Sequence, residues 1–302
     1  MRREWTPDFY TLGNGVVAYI SQGGFCMNNP GFVAGENCMM GIDTMAGIAL
    51  TSMALEGAKE RLNKPVQYLL YTHGHGDHVH GSAVYGDAIR IGTQQVWDSL
   101  AEKAVFVSDA YKAMNPVEMT GIRYLPPEMI VEDSLELDLG DQPVAIYHMG
   151  HCHTQSDTIA FVPKAKTVFC GDIFYNFELP DGNVGCFENW IAALEKIAAL
   201  DAEHFVPGHG PVADRKEFEA YIKLMKMMYR KAVEAKTQGI HQRECAREMD
   251  LEEFEDWSLP HRLFSVVDTI YRGLEGKNTE PSDWDIRSEM NRVKASGQRR
   301  AQ

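Results

Sequence analysis

The chain has 302 residues, of which 44% are hydrophobic, 24% charged and 10% aromatic, with a formal net charge of −14. That apolar share can fill a large core and excludes extensive disorder, while the acidic balance repels phosphate backbones and argues against nucleic acid as a partner. No run approaches the ~20 uninterrupted apolar residues that span a bilayer, and the start, Met1-Arg2-Arg3-Glu4-Trp5, lacks the apolar stretch of a signal peptide, so the expectation is a cytoplasmic protein without membrane contact.

In chain order, 16–21, 31–34 and 39–43 are short apolar runs bounded by Gly or Asn, a meander ending at Asp43-Thr44. Leu50, Met53, Ala54, Ala58 and Leu62 predict a helix over 47–62, stopped by Asn63-Lys64-Pro65. A buried strand over 66–71 then runs into Thr72-His73-Gly74-His75-Gly76-Asp77-His78. Strands follow over 134–139, 144–148, 158–162 and 167–170, then an amphipathic helix over 189–200 and a last strand over 204–206 before Pro207-Gly208-His209-Gly210. Strands alternating with helices suit a sheet-based α/β sandwich, with polar groups gathered where strands end.

From Asp214 the pattern turns helical. Asp214 with Glu217 reads as a capping box, and Phe218, Tyr221, Ile222, Met225, Met228, Tyr229, Ala232 and Val233 mark one apolar face as far as Gly239. Two shorter helices are expected over 241–248 and 261–275, with a frayed basic tail after about residue 290. The division is a core over 1–212 and a helical extension over 213–302. The six cysteines, Cys26, Cys38, Cys152, Cys170, Cys186 and Cys245, form no C-x-x-C pair and read as free thiols.

Chemistry concentrates in His73-x-His75-x-Asp77-His78, where imidazoles and carboxylate suit a borderline divalent metal and the glycines let neighbouring ligands share a tight turn. Two further groups sit at strand ends: His148-Met149-Gly150-His151-Cys152-His153-Thr154 with Asp157, and Gly171-Asp172 followed by the Pro207-Gly208-His209-Gly210 run. Together, and in this order from about residue 16 to 212, these motifs resemble the metallo-β-lactamase superfamily of metallohydrolases.

The resemblance implies a four-layer αββα sandwich with a C-terminal helical extension. It implies a first metal on His73, His75 and His153, a second on Asp77, His78 and His209, and Asp172 bridging them. An aspartate at the bridge is similar to the glyoxalase II-like and lactonase branches. His151, two positions before His153, competes with it for the first metal; His153 is preferred for the Thr154 that follows. The implied cofactors are two zinc ions, with iron or manganese as alternatives. A hydroxide between two such ions cleaves an ester, thioester, lactone or amide in a small molecule, with Asp77 passing a proton to the leaving group. The alternatives are an iron-dependent oxidoreductase of the persulfide dioxygenase kind and a β-lactamase-type or sulfatase-type hydrolase. The expected partner is a small-molecule substrate, and a homodimer is left open.

Around this centre, Asp43 and Thr44 are expected to brace it, and His80 and His148 to lie outside the ligand set. His204, His241 and His261 read as ordinary histidines. Tyr175, three residues after Asp172, is expected as a catalytic donor to the developing oxyanion. Phe25, Met27, Asn28, Phe174, Asn176 and Trp257 are the remaining expected pocket walls.

Overall fold

The computed structural model of the protein describes residues 5–22, 27–104, 120–182, 184–280, 282 and 285–296. Two sheets stack face to face. The first runs in chain order through β1 (Asp8–Thr11), β2 (Val16–Ile20), β3 (Gly31–Ala34), β4 (Met39–Ile42), β5 (Val66–Leu70), β6 (Ile89–Gly92) and β7 (Met129–Ile130), antiparallel up to β4 and parallel from there on. The parallel steps need crossovers, which α1 (Ile48–Leu62), α2 (Gly76–Val79) and α3 (Gln94–Ala104) help to supply. Asn63 in the left-handed conformation ends α1, two residues before Pro65.

The second sheet contains β8 (Ser134–Asp138), β9 (Pro143–Gly150), β10 (Asp157–Val162), β11 (Thr167–Phe169) and β12 (His204–Val206), with α4 (Phe187–Ala198) between the last two strands. Ile20, Val33, Ile42, Leu70, Ile146 and Phe169 fill the space between the sheets. Phe32 and Leu69 turn the first sheet's outer face toward Ala54, Leu55 and Ala58 of α1. The outer face of the second sheet is covered by α4 and by the C-terminal helices. This is the expected αββα order of layers.

Helix α5 (Arg215–Thr237) starts with the expected capping box, Asp214 accepting from the Glu217 amide while Glu217 reaches back. Its buried face, with Phe218, Tyr221 and Met225, lies against Phe174 and Phe205. After α6 (Gln242–Glu248), helix α7 (Leu263–Leu274) is buried on nearly every side and closes the core with an Arg272 to Asp268 ion pair of 2.7 Å.

Of the frayed tail expected after about residue 290, residues 291–296 are helical instead, and 297–302 lie outside the described residues. Helix α8 (Ile286–Ser296) continues to 296, because Ile286, Met290 and Val293 recur at helical spacing against the core and the buried Glu289 carboxylate gathers Arg243, Arg247 and Arg292. Cys38, Cys152, Cys170, Cys186 and Cys245 are free thiols, and Cys26 lies outside the described residues. No helix among the described residues is long and apolar enough to cross a membrane.

Candidate metal centre

The parallel strands β4 and β5 end at the same edge of the first sheet, and β9 to β12 bring their own ends opposite them. Thr158 N–H donates to Thr72 O at 2.8 Å across this seam, which ties the sheets together beside the site. From this edge His73, His75, His153 and Asp172 converge in one group and Asp77, His78 and His209 in a second, with the inward atoms of each group within 4.8 Å of one another.

Asp172 joins the two groups. Its Oδ2 lies 3.4 Å from His153 Nε2 and 3.9 Å from His73 Nε2, while Oδ1 lies 3.3 Å from His78 Nε2 and 3.4 Å from His209 Nε2. Asp77 Oδ2 is 3.5 Å from His209 Nε2 and 3.9 Å from His78 Nε2.

Acceptors on the far side of each ring assign the tautomers. Asp43 Oδ2 takes His78 Nδ1–H at 2.8 Å and the Thr72 hydroxyl at 2.7 Å, so Thr72 Oγ1 is left to accept from His73 Nδ1 at 3.1 Å. His153 Nδ1–H donates to Asp181 O and His209 Nδ1–H to Met27 O, each at 3.0 Å. In their neutral form all four rings therefore turn the lone pair of Nε2 inward, as ligating imidazoles do. Asp43 holds its position in the left-handed region at φ 59°, with Oδ1 accepting from Thr72 N at 2.8 Å.

Within the centre, His73 Nε2, His78 Nε2 and Asp172 Oδ1 are buried and without a hydrogen bond among the described residues. Orphaned polar atoms of this kind are costly unless a cation meets them. The electrostatics agree. Burial opposes charge on His78 and His209, yet Asp172 and other carboxylates outweigh it and raise both above the ordinary histidine range. Burial, with the neighbouring His78, instead lowers His73, and burial lowers His153, keeping both neutral. Asp172 is buried too, but His209 and His78 hold it well below the usual carboxylate range. A site that draws positive charge to one end and keeps lone pairs free at the other fits divalent cations.

The sequence model of the metallo-beta-lactamase superfamily matches residues 23–209. The chain belongs to the metallo-β-lactamase superfamily. Two curated relatives share low identity with it. A linear primary-alkylsulfatase of Pseudomonas sp. (strain ATCC 19151) is 21% identical over 222 residues, 61% of this chain and 42% of the relative. A beta-lactamase-like protein 2 homolog of Caenorhabditis elegans is 24% identical over 165 residues, 54% of this chain and 48% of the relative. The matches thus span less than half the length of these relatives. Among solved structures, a metallo-beta-lactamase from Pontibacter korlensis superposes with TM-score 0.59 at 18% identity, over 73% of this chain and 99% of its own. The stereoselective inverting sec-alkylsulfatase Pisa1 from Pseudomonas sp. superposes with TM-score 0.69 at 15% identity, over 97% of this chain and 55% of its own.

The other histidines near the centre are bonded elsewhere. His151 stays out of both groups, bonded through Nε2 to Val184 O at 2.6 Å. The turn that separates it from His153 is held by Asp157, which accepts from Cys152 N, Thr154 N and Thr154 Oγ1. His148 bonds to Glu132 O, and His80 lies between Ala46 O and the Tyr124 hydroxyl.

Tyr175 requires correction as an oxyanion donor. Its side chain is buried and its hydroxyl donates to Asp172 Oδ2 at 2.6 Å, with the ring stacked on His209, so the phenol is spent on the Asp172 carboxylate. The expected walls behave similarly. Phe174 is core, Asn176 bonds to Pro211 O, Asn28 to Thr44 O, and Trp257 packs on Phe177 and Phe254. Phe25 lies outside the described residues. Asn29 and Asp181 were not anticipated: Asn29 Nδ2 holds the His209 loop through Pro207 O and Gly210 O, and Asp181 acts through a backbone carbonyl, which any residue carries.

Proposed function

We propose that the protein is a binuclear hydrolase in which His73, His75, His153 and Asp172 hold one divalent cation and Asp77, His78, His209 and Asp172 a second, with zinc the ion this donor set suits. The observation that carries the reading is the Asp172 carboxylate, whose two oxygens face different groups. When bound, such a pair of ions polarises the bond to be cleaved and makes water acidic enough to attack at neutral pH.

The chain's residues do the rest. Asp43, Thr72, Asp181 and Met27 orient the imidazoles, so little reorganisation is left for the reaction. Tyr175 fixes the bridging carboxylate. Of the two carboxylates, Asp77 is the more exposed, 12% against 5% for its side chain, and it is the group suited to pass a proton to the leaving group. The substrate class is a small molecule with an ester, thioester, lactone or amide bond, since two divalent ions outweigh Asp77 and Asp172 and favour a developing oxyanion. Residues 1–212 form the catalytic core in this reading.

Sulfate-ester hydrolysis is the second reading. The sec-alkylsulfatase superposition spans so much of this chain that it includes the C-terminal helices, whereas the Pontibacter korlensis metallo-beta-lactamase leaves about a quarter of the chain unmatched. A screen of thioesters, lactones, aryl esters, β-lactams and alkyl sulfates with zinc-loaded protein separates the readings. Asp172→Asn serves as the inactive control. Hydrolysis that survives in Asp172→Asn, or that ignores a chelator, would refute the binuclear mechanism. Iron co-purifying in stoichiometric amount, with oxygen consumption in place of hydrolysis, would turn the assignment to an oxidoreductase.

A further inference from the structure

The loop 175–182 leaves Asp172 and returns to touch the centre twice more. Tyr175 opens it with the hydroxyl on Asp172 and the ring on His209, and Asp181 ends it with its carbonyl on His153 Nδ1. Donors of both groups therefore lean on one short segment that is neither helix nor strand and carries Phe177 in the left-handed region at φ 60°. Its support comes from far along the chain. Ser258 N and Oγ both donate to Phe177 O, at 2.9 and 3.2 Å, and Leu179 N donates to Ser258 O at 3.0 Å.

Two side chains at the entrance to α7 complete the clamp. Arg262, only 8% exposed, donates through Nη1 to Leu179 O at 2.9 Å, approaches Glu178 Oε2 at 3.7 Å, and sets its guanidinium 5.2 Å from the Tyr175 ring centre. That distance is within cation–π range, and burial strengthens the attraction. Ser265 Oγ accepts from Gly182 N at 3.2 Å and shares its hydrogen between Asp181 Oδ1 at 3.1 Å and Arg262 O at 2.8 Å. The approach at Gly182 is backbone against backbone, since a Cβ there would lie 2.6 Å from Ser265 O.

We infer that the 258–265 segment is a positioning element of the metal centre, with Arg262 acting on Asp172 through Tyr175 and Ser265 acting on His153 through Asp181. The inference rests on the binuclear reading, and it gives the C-terminal helices a role in holding cations. Groups that orient a ligand typically contribute ~10–100-fold to metal affinity. Such a loss at one cation with the other unchanged is a signature that general destabilisation does not produce.

Cobalt(II) titration of metal-free protein, followed by visible absorbance, tests this on the parent, Ser265→Ala, Arg262→Met and Arg262→Lys. Ser265→Ala should weaken one of two cobalt equivalents by ~10-fold or more and leave the other at parent affinity, because only His153 depends on Asp181. Arg262→Met should weaken both, since Asp172 serves both, and Arg262→Lys should restore part of the loss. In Ser265→Ala, parent affinities, or a loss shared equally by both equivalents alongside a lowered melting temperature of the metal-free protein, would overturn the inference. If the parent itself takes up no cobalt, the binuclear reading fails instead. Should Arg262→Met not fold, Ser265→Ala decides alone.

Discussion

Gly208→Ala probes the proposed bridging role of Asp172 without replacing a ligand. Gly208 is clamped on both sides, its N–H donating to Gly171 O at 2.8 Å and to Phe174 O at 3.1 Å, its carbonyl accepting from Asn29 N at 2.9 Å. A Cβ there would lie 1.9 Å from Asp172 Oδ1 and 2.9 Å from the Gly171 carbonyl carbon. Ordinary contact begins near 3.4 Å, so the carboxylate must retreat by about 1.5 Å. Metal sites tolerate ligand displacements of only ~0.2 Å. The loss should reach or exceed the ~100-fold upper end for an orienting residue, and if the carboxylate does not yield, overpacking costs ~1–3 kcal/mol of stability instead. Cobalt titration and metal analysis after dialysis read the first outcome, and thermal melting reads the second. Both equivalents should weaken together, because one carboxylate serves both groups. Gly239→Ala is the control. It has φ +73° and nothing within 4 Å, so it should cost about 1 kcal/mol through the backbone and leave metal binding alone. A Gly208→Ala protein that binds two equivalents at parent affinity and keeps its rate would refute the bridging role of Asp172.

Asp43→Asn keeps a residue that tolerates the left-handed backbone but leaves one oxygen where two now accept from His78 and Thr72, and cobalt affinity at the His78 group should fall by ~10–100-fold. Unchanged binding would remove Asp43 from the support of His78. Chelation should lower the melting temperature reversibly, because ions that bind only the folded chain add about 2.7 kcal/mol at a hundred times their dissociation constant. Calorimetry with and without zinc checks this, and indifference to both zinc and chelator would count against a native metal site. Burial, then Arg262 and Lys294, hold His261 down to about 4, so the unfolded chain takes up a proton there that the folded one refuses. Its contribution is intact above pH 6.5 and drains away as pH falls from 6.5 to about 4. Urea midpoints at pH 5 and 7.5, in one metal state, should differ less in His261→Gln than in the parent; equal differences would rule His261 out as a source of acid sensitivity.

The groups that converge were visible in the sequence because their chemistry is improbable for any other purpose. His73-x-His75-x-Asp77-His78 and the later His153, Asp172 and His209 are side chains that a core without cations would not gather. Asp43 could be read for the same reason, a carboxylate at the end of an apolar strand. Direction could not. Whether Tyr175 faces substrate or Asp172 depends on the short 3₁₀ turn over Gly171–Ile173 that swings the chain back over the carboxylate, and residue spacing alone allows either. His151 and His153 differ by two positions, and only the Asp157 hydrogen bonds decide which turns inward. Among the elements, β1, β6, β7, α2 and α3 escaped notice, the strands because they are short or at the sheet margin and none is buried along its whole length. Helix α8 carried a readable signal in Ile286, Met290 and Val293, masked by the many charges around them.

The two sheets contribute unequally to the centre, and this explains why its supports look so different. Asp43, His73, His75, Asp77 and His78 follow β4 and β5 of one sheet, and their support is local: Asp43 reaches His78 directly and His73 through Thr72. His153, Asp172 and His209 follow strands of the other sheet and are held by distant segments, Asp181 under His153, Tyr175 on Asp172, and Met27 with Asn29 around His209. Motif-like spacing is the mark of the first kind of support, since the partners share a loop or adjoining strands. The second kind leaves no pattern, because a backbone carbonyl or a buried arginine two helices away is chosen by the packing of the whole chain. The two groups meet at Asp172, which turns one oxygen toward each and is the residue on which the proposed centre most depends.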